Sequence, residues 1–469
     1  MTQRRLSNLS TVVSSLLIGL TSSCLALAQQ DIPAELKSAI KAIDQATVTS
    51  TVTFLSSDEM AGRDTPSPEL TIATSYVAAR FRGAGLKGFG EDGSYFQNNE
   101  IDTIAIPDEG IVIEQDGVAV PHFGMLSAGS SEFTFQGKVQ LVTKDSPSDA
   151  KFSGPVSIVA DKFESRRDQS NLMRRMARLR QNGATAILIQ VEPDHGLVAQ
   201  ATAAKRPQMA SRRGGGSSGP ALLIAKTKLG GELRIDLPKQ SEGKAVVRNV
   251  IGMIPGSDPN LSKEAIVISA HLDHIGQRGT IGDTICNGAD DNASGVTGVV
   301  SLADAFAAMP VAPKRTVIFM TFWGEEKGLL GSRYYVENPI WPLEKTVANV
   351  NIEMIGRPEP GAAGKCWGTG WDKSDLCELM SVGAKKAGVL IFQHPNFSGD
   401  MLYRASDNFP FVSKGVVAHS FSAGSLHEDY HQPGDEWEKL ELKHMTKVIQ
   451  GLFAGVLPIA KGEVTPKKN

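Results

Sequence analysis

The sequence predicts an α/β fold: a mixed, mainly parallel central sheet with helices on both faces, plus an inserted, smaller β-rich α/β domain. Three observations predict it. From Val247 onward apolar strand-like runs alternate with helical segments, whereas between roughly residues 100 and 246 the strands become shorter and carry a basic helix of their own. The length of 469 residues also exceeds the roughly 150 expected of one domain. Hydrophobic residues at 41% and charged residues at 21% fit a globular chain and exclude global disorder or a multi-span membrane protein. A net charge of −3 offers no basic excess to a nucleic acid. The four cysteines, without CxxC spacing, argue against a disulfide scaffold or a structural zinc knot.

The chain opens with Arg4 and Arg5, an apolar run from Val12 to Leu20, and small residues ending Ala26-Leu27-Ala28 before Gln29. That order predicts an export signal over residues 1–28, because the apolar run is shorter than the ~20 residues of a membrane helix. The alternative is a lipoprotein signal ending at Cys24, although Thr21 stands where such signals usually carry Leu. The expectation is a periplasmic or extracellular protein with no transmembrane anchor after cleavage. Export leaves Cys286, Cys366 and Cys377 in an oxidising compartment, with Cys366 and Cys377 the nearest candidates for a pair.

Residues 29–119 are read as the N-terminal part of the main domain, with helices over 34–46 and 70–83. Residues 120–246 are read as the insert, with strands at 138–142, 156–159 and 186–191 and a helix over 170–180. The run Arg174, Arg175, Arg178 and Arg180 reads as one solvated helix face. Gly214 to Gly219 lacks the Lys-Ser/Thr of a phosphate cradle and reads as a surface loop. Residues 247–460 complete the main domain, with strands at 265–270, 316–322, 347–352 and 415–421 and a helix over 295–309, before a polar tail over 461–469.

In open α/β sheets ligands bind beyond the carboxyl ends of strands, so the polar residues after each apolar run carry the chemistry. After the first run comes His271-Leu272-Asp273-His274, where period two turns His271 and Asp273 to one side. Asp290-Asp291-Asn292 precedes the clearest helix, either as caps or as carboxylates open to a metal. Glu325-Glu326 and Glu353 follow the next two strands, and His427-Glu428-Asp429-Tyr430-His431 follows the last. Histidines and carboxylates at several strand ends suit a pair of zinc ions about 3.5 to 4 Å apart. The HExxH pattern of single-zinc proteases also fits residues 427–431, but Gly424, Pro433 and Gly434 leave little room for the helix it needs.

The motifs His271-Leu-Asp273, Gly288-Ala-Asp290-Asp-Asn-Ala-Ser-Gly295, Glu325-Glu326-Lys-Gly-Leu-Leu-Gly-Ser332, Asn351-Ile-Glu353-Met-Ile-Gly356, Ser406-Asp407 and Asp429-Tyr-His431 occur in the order found in the di-zinc aminopeptidases. The chain after residue 247 resembles peptidase family M28. Residues 52–64 resemble the opening of that catalytic domain, and the insert is similar to a protease-associated domain. The resemblance implies the zinc-dependent exopeptidase fold, two Zn²⁺ per chain and hydrolysis of N-terminal residues from peptide substrates. It implies that His271, Asp290 and Glu353 hold one zinc and Asp290, Glu326 and His431 the other, with Asp290 bridging. Glu325 would be the general base and Asp273 would orient His271. Glu353 stands where many members have Asp, and Asn408 replaces a His common after Ser-Asp, leaving Ser406 and Asp407 as site supports. The alternatives are carboxypeptidase or glutaminyl-cyclase chemistry on the same metals, or a catalytically silent binding ectodomain. The sequence assigns neither an oligomeric state nor a side-chain preference.

Overall fold

The computed structural model describes residues 34–90, 93–210 and 219–469. The predicted export signal with Cys24, and residues 214–218 of the glycine run, lie outside the described residues. Strands β1 Phe96–Ala105, β2 Gln208–Met209, β3 Ser241–Ile254, β4 Ala265–His271, β5 Thr316–Phe322, β6 Thr346–Ile352, β7 Lys365–Gly368, β8 Leu390–Phe392 and β9 Ala418–Ser422 form one large sheet. Their spatial order is β8-β7-β9-β6-β4-β5-β3-β1-β2. The central strands β9, β6, β4 and β5 run parallel, and the sheet turns antiparallel where β3 joins β5 and where β7 joins β9. The mainly parallel sheet is therefore parallel at its centre and antiparallel where it widens.

Period two explains why the central strands read as unbroken apolar runs: both faces are covered. Ile266 and Ile268 of β4 and Phe319 of β5 join one core with the helices Gly295–Ala307 and Leu442–Ala460. Val267, Ile318 and Phe322 join the other, against Tyr335 and Phe411 of the helices Leu330–Glu337 and Asn408–Ser413. The helix expected over 34–46 is two helices, Ala34–Ala42 and Gln45–Leu55, because Asp44 accepts the Thr47 N–H at 2.9 Å and caps the second. The helix expected from residue 70 starts at Pro68, where Ser67 accepts the Leu70 N–H at 3.0 Å.

Between Val112 and Leu237 lie two further sheets. In the first, Val156–Val159, Ile187–Val191 and Ala221–Ala225 pair in parallel; the second is antiparallel. Each has its own core, one around Ile158, Ile189 and Leu223 and one around Ile113, Leu222 and Ile235. β1 and β3 pair along their length, Phe96 opposite Val250 and Ala105 opposite Ser241, so residues 241–246 remain with the large sheet. The basic helix spans Arg166–Gln181, and its face is not wholly solvated. Arg175 donates to the Val142 carbonyl at 2.7 Å and Arg180 to the Ser127 hydroxyl at 3.1 Å.

Cys286, Cys366 and Cys377 are buried thiols, so the candidate pair Cys366 and Cys377 is not closed. Burial pushes Cys366 up to about 12. Among the described residues, no helix is long and apolar enough to cross a membrane.

Candidate metal centre

The carboxyl ends of the parallel strands deliver the polar residues to one place. His271 ends β4, Glu325 and Glu326 follow β5, Glu353 follows β6, and the loop beyond β9 carries His431. His271 Nε2 lies 3.2 Å from Asp291 Oδ1 and 3.4 Å from Glu353 Oε2. His431 Nε2 lies 3.2 Å from Asp291 Oδ2 and 3.2 Å from Glu326 Oε1. His274 Nδ1 lies 2.9 Å from the same Glu326 oxygen. Two donor groups result, His271-Asp291-Glu353 and His274-Asp291-Glu326-His431, sharing Asp291.

Both His274 nitrogens, Asp291 Oδ2 and Glu326 Oε1 are buried without a hydrogen-bond partner. Burying such atoms unsatisfied costs kilocalories each, and a nitrogen and carboxylate set of this kind fits divalent zinc.

Two sequence assignments change. Asp290 is not between the donor groups: its Oδ1 accepts the Gly356 N–H at 2.7 Å and its Oδ2 faces His427 Nε2 at 3.5 Å. Asp291 takes that place because the backbone is non-helical at Asp291 and Asn292, turning adjacent carboxylates to opposite sides. Asp273 does not orient His271 through its carboxylate, which is 3.9 Å away; its backbone carbonyl, 3.0 Å from His271 Nδ1, does. The Asp273 carboxylate accepts the Glu325 N–H and the Thr65 hydroxyl, both at 3.1 Å. It fixes the loop that carries Glu325.

The supports come from distant segments. Asn351 donates to Glu353 Oε1 at 2.9 Å, and the Ser406 hydroxyl donates to the same oxygen, so the long carboxylate is pinned. Asp407 instead accepts from the Ser332 hydroxyl, and Asn408 bonds Ser420 and the Tyr403 carbonyl. Asp435 accepts the N–H groups of Asp290 and Asp291 at 3.1 and 3.0 Å. Fully buried Arg63 donates to the carbonyls of Leu272, Asn287 and Gly288, tying the 52–64 segment to two loops of the centre. Residues 427–431 form turns rather than a helix, so His427 and His431 do not share a helix face. His431 sits at φ 56, a strained conformation held by the Arg357–Asp429 and Lys439–Asp429 contacts at 2.8 and 2.9 Å.

Sequence patterning assigns Asp435, Arg63 and His274 no role in the centre and leaves Asp291 as a cap or an unassigned carboxylate open to a metal. Asp291 has the same local context as Asp290, and only backbone geometry separates them. His274 lies past the end of β4, where strand alternation no longer applies.

Charge is heavily perturbed here. Burial raises Glu325 well above the carboxylate range, and Asp407 and Glu353 add to this against the pull of His271. Burial likewise lifts Asp273 to about 7. For Glu326 burial acts upward, but His274 and His431 outweigh it and take it to about 2. Burial lowers His274, against the upward pull of Asp291 and Glu326.

Against His271 lies a pocket lined by Met354, Trp367, Phe397, Leu402 and Leu426 together with Glu325, Glu353 and Tyr430. No Lys or Arg is among its lining residues.

Residues 249–456 match the family model described as Peptidase family M28. This domain belongs to peptidase family M28. Over 234 residues the chain is 26% identical to Aminopeptidase YwaD of Bacillus subtilis (strain 168), covering 47% of this chain and 46% of that protein. Over 238 residues it is 34% identical to a Probable glutamate carboxypeptidase of Arthroderma benhamiae, covering 45% and 30%. The chain thus spans less than half the length of these curated relatives. A solved aminopeptidase from Aneurinibacillus sp. strain AM-1 superposes with a TM-score of 0.52 at 19% identity, covering 91% of this chain and 96% of that one. The M28 domain and that enzyme share a fold.

Proposed function

We propose that the chain is an exported zinc-dependent aminopeptidase that hydrolyses N-terminal residues from peptides, with two zinc ions per chain. One ion is assigned to His271, Asp291 and Glu353 and the other to Asp291, Glu326 and His431. The observation that carries this reading is the pair of donor groups sharing Asp291 beside a pocket whose only charged lining residues are histidine and carboxylates. When bound, such ions lower the pKa of the attacking water and polarise the scissile carbonyl.

The side chains supply the rest. Cations bound beside Glu325 would favour its ionised form against the burial that raises it, and its carboxylate then takes the water's proton and returns it to the leaving amine. Asp273 holds the Glu325 backbone, and Asn351 and Ser406 hold Glu353. The apolar walls accept an apolar first side chain. The pocket carries no Lys or Arg side chain to pair with a peptide's terminal carboxylate. This favours the aminopeptidase over the carboxypeptidase reading. The region between Val112 and Leu237 is assigned as the protease-associated-like insert, and residues 1–28 as the cleaved signal.

The test is a panel of leucine anilide, free-amine peptides and N-acetylated peptides, with and without a chelator. Free-amine substrates turn over, acetylation abolishes the reaction and chelation stops it. Cleavage of N-acetylated peptides from the carboxyl end would overturn the reading. In the same assay Glu325→Gln loses about 10²–10⁴ in rate while its metal content stays at the wild-type level.

A further inference from the structure

We propose that the two cation positions are unequal and that His274 makes them so. It is a fourth protein donor to the position at Asp291, Glu326 and His431, closing that position and leaving the one at His271, Asp291 and Glu353 open to substrate. This rests on the two-metal reading above.

Three observations carry it. First, His274 is fully buried, its Nε2 has no hydrogen-bond partner, and its Nδ1 has only the Glu326 carboxylate beside it, outside hydrogen-bond geometry. A neutral imidazole always has a donor to satisfy and a lone pair to place, so this state is costly unless something other than the protein engages it. Second, the ring is aimed and clamped. Nδ1 lies 2.9 Å from Glu326 Oε1 and 3.7 Å from Asp291 Oδ2, in a group whose other nitrogen is His431 Nε2. Its backbone N–H donates to the Arg63 carbonyl at 3.3 Å. The Cγ–Cδ2 edge of the ring lies over Gly288, where a Cβ would come within 2.5 Å of it. Third, the apolar pocket opens on His271, Asp291 and Glu353, and its walls include none of His274, Glu326 and His431.

Four protein ligands are the mark of closed zinc sites, and three with an open position the mark of catalytic ones. The ion beside His274 is therefore retained and shapes Asp291. An ion held by His271, Asp291 and Glu353 would exchange readily and lie beside the substrate pocket. The division of labour is written into His271-Leu272-Asp273-His274, whose two histidines serve different ions.

The experiment loads metal-stripped full-length chain with Zn²⁺, counts the ions, and measures imidazole ligands by X-ray absorption at the zinc edge. Wild type is expected to show three imidazoles over two ions, and His274→Ala two over two. Release to a chelator is expected in a fast and a slow step in wild type, with the slow step at least about tenfold faster in His274→Ala. His271→Ala should alter the fast step instead. Two imidazoles over two ions in wild type would overturn this inference while leaving the two-metal reading intact. A chain that takes up no zinc would overturn both. Should His274→Ala not fold, the wild-type imidazole count alone decides.

Discussion

The strand ends of the large sheet and the two smaller sheets between Val112 and Leu237 handle charge in opposite ways. At the strand ends His271, Asp273 and Asp291 expose no more than 5% of their side chains and crowd together. In the smaller sheets the ion pairs stand in solvent, as with Lys144 and Asp161 at 79% and 65% exposure. Exposed pairs contribute little to stability, whereas buried ones are costly unless something compensates them. The difference teaches that charge kept where folding disfavours it marks chemistry, and charge kept in water marks solubility.

The sharpest test of this contrast lies between two neighbours. Asp291→Asn removes the carboxylate common to both donor groups and is expected to lower turnover about a thousandfold, about 4 kcal/mol, with loss of bound metal. Asp290→Asn keeps an acceptor for the Gly356 N–H and is expected to stay within about tenfold of wild type with both ions bound. Metal analysis and kcat/KM on a leucine anilide check both. Reversal of the two outcomes would return the shared position to Asp290.

How far this was legible in the sequence follows from the same pair. Strand β5 runs over the residues predicted for it, and β4 and β6 differ by one residue, because burial on both faces writes itself as continuous apolar runs. Glu326, Glu353, His271 and His431 were legible for a related reason: His271 and Glu353 stand at or directly after the end of an apolar run that the pattern marks, and Glu326 and His431 lie in the loops that follow such runs. Asp291 against Asp290 was not, since a rotation at one residue decides which of two identical side chains faces the centre. Asp273 was read with the right partner and the wrong atom, because sequence shows residue types and not whether a carbonyl or a carboxylate makes the contact. The split of the first helix at Asp44 was missed because the apolar spacing continues across a cap.

A buried histidine away from the metal groups extends the contrast to stability. His419 of β9 sits between the Thr369 carbonyl and the Ser374 hydroxyl, at 2.5 and 2.6 Å. Burial lowers it from its ordinary 6.5 to about 4. Its folded value lies below the unfolded one, so the unfolded chain takes up the proton first as pH falls. Its contribution is complete above pH 6.5 and is lost as pH drops toward 4, in all about 3 kcal/mol. His419→Gln removes this titration. Urea midpoints measured from pH 7 to 4.5 should fall more steeply in wild type than in the variant, and parallel slopes would show that His419 is not the group responsible.

The smallest effect is expected where charge is most exposed. Lys144 Nζ lies 2.8 Å from Asp161 Oδ2, close enough for a good ion pair, yet both ends are mostly in water. The attraction is therefore screened, and holding a flexible lysine costs side-chain entropy of comparable size. Lys144→Ala should change stability by less than about 1 kcal/mol, lose even that difference in high salt, and leave kcat/KM on a short anilide unchanged. A loss several times larger, persisting in salt, would mean that this pair braces the smaller sheets, and that exposure alone does not separate the two uses of charge in this molecule.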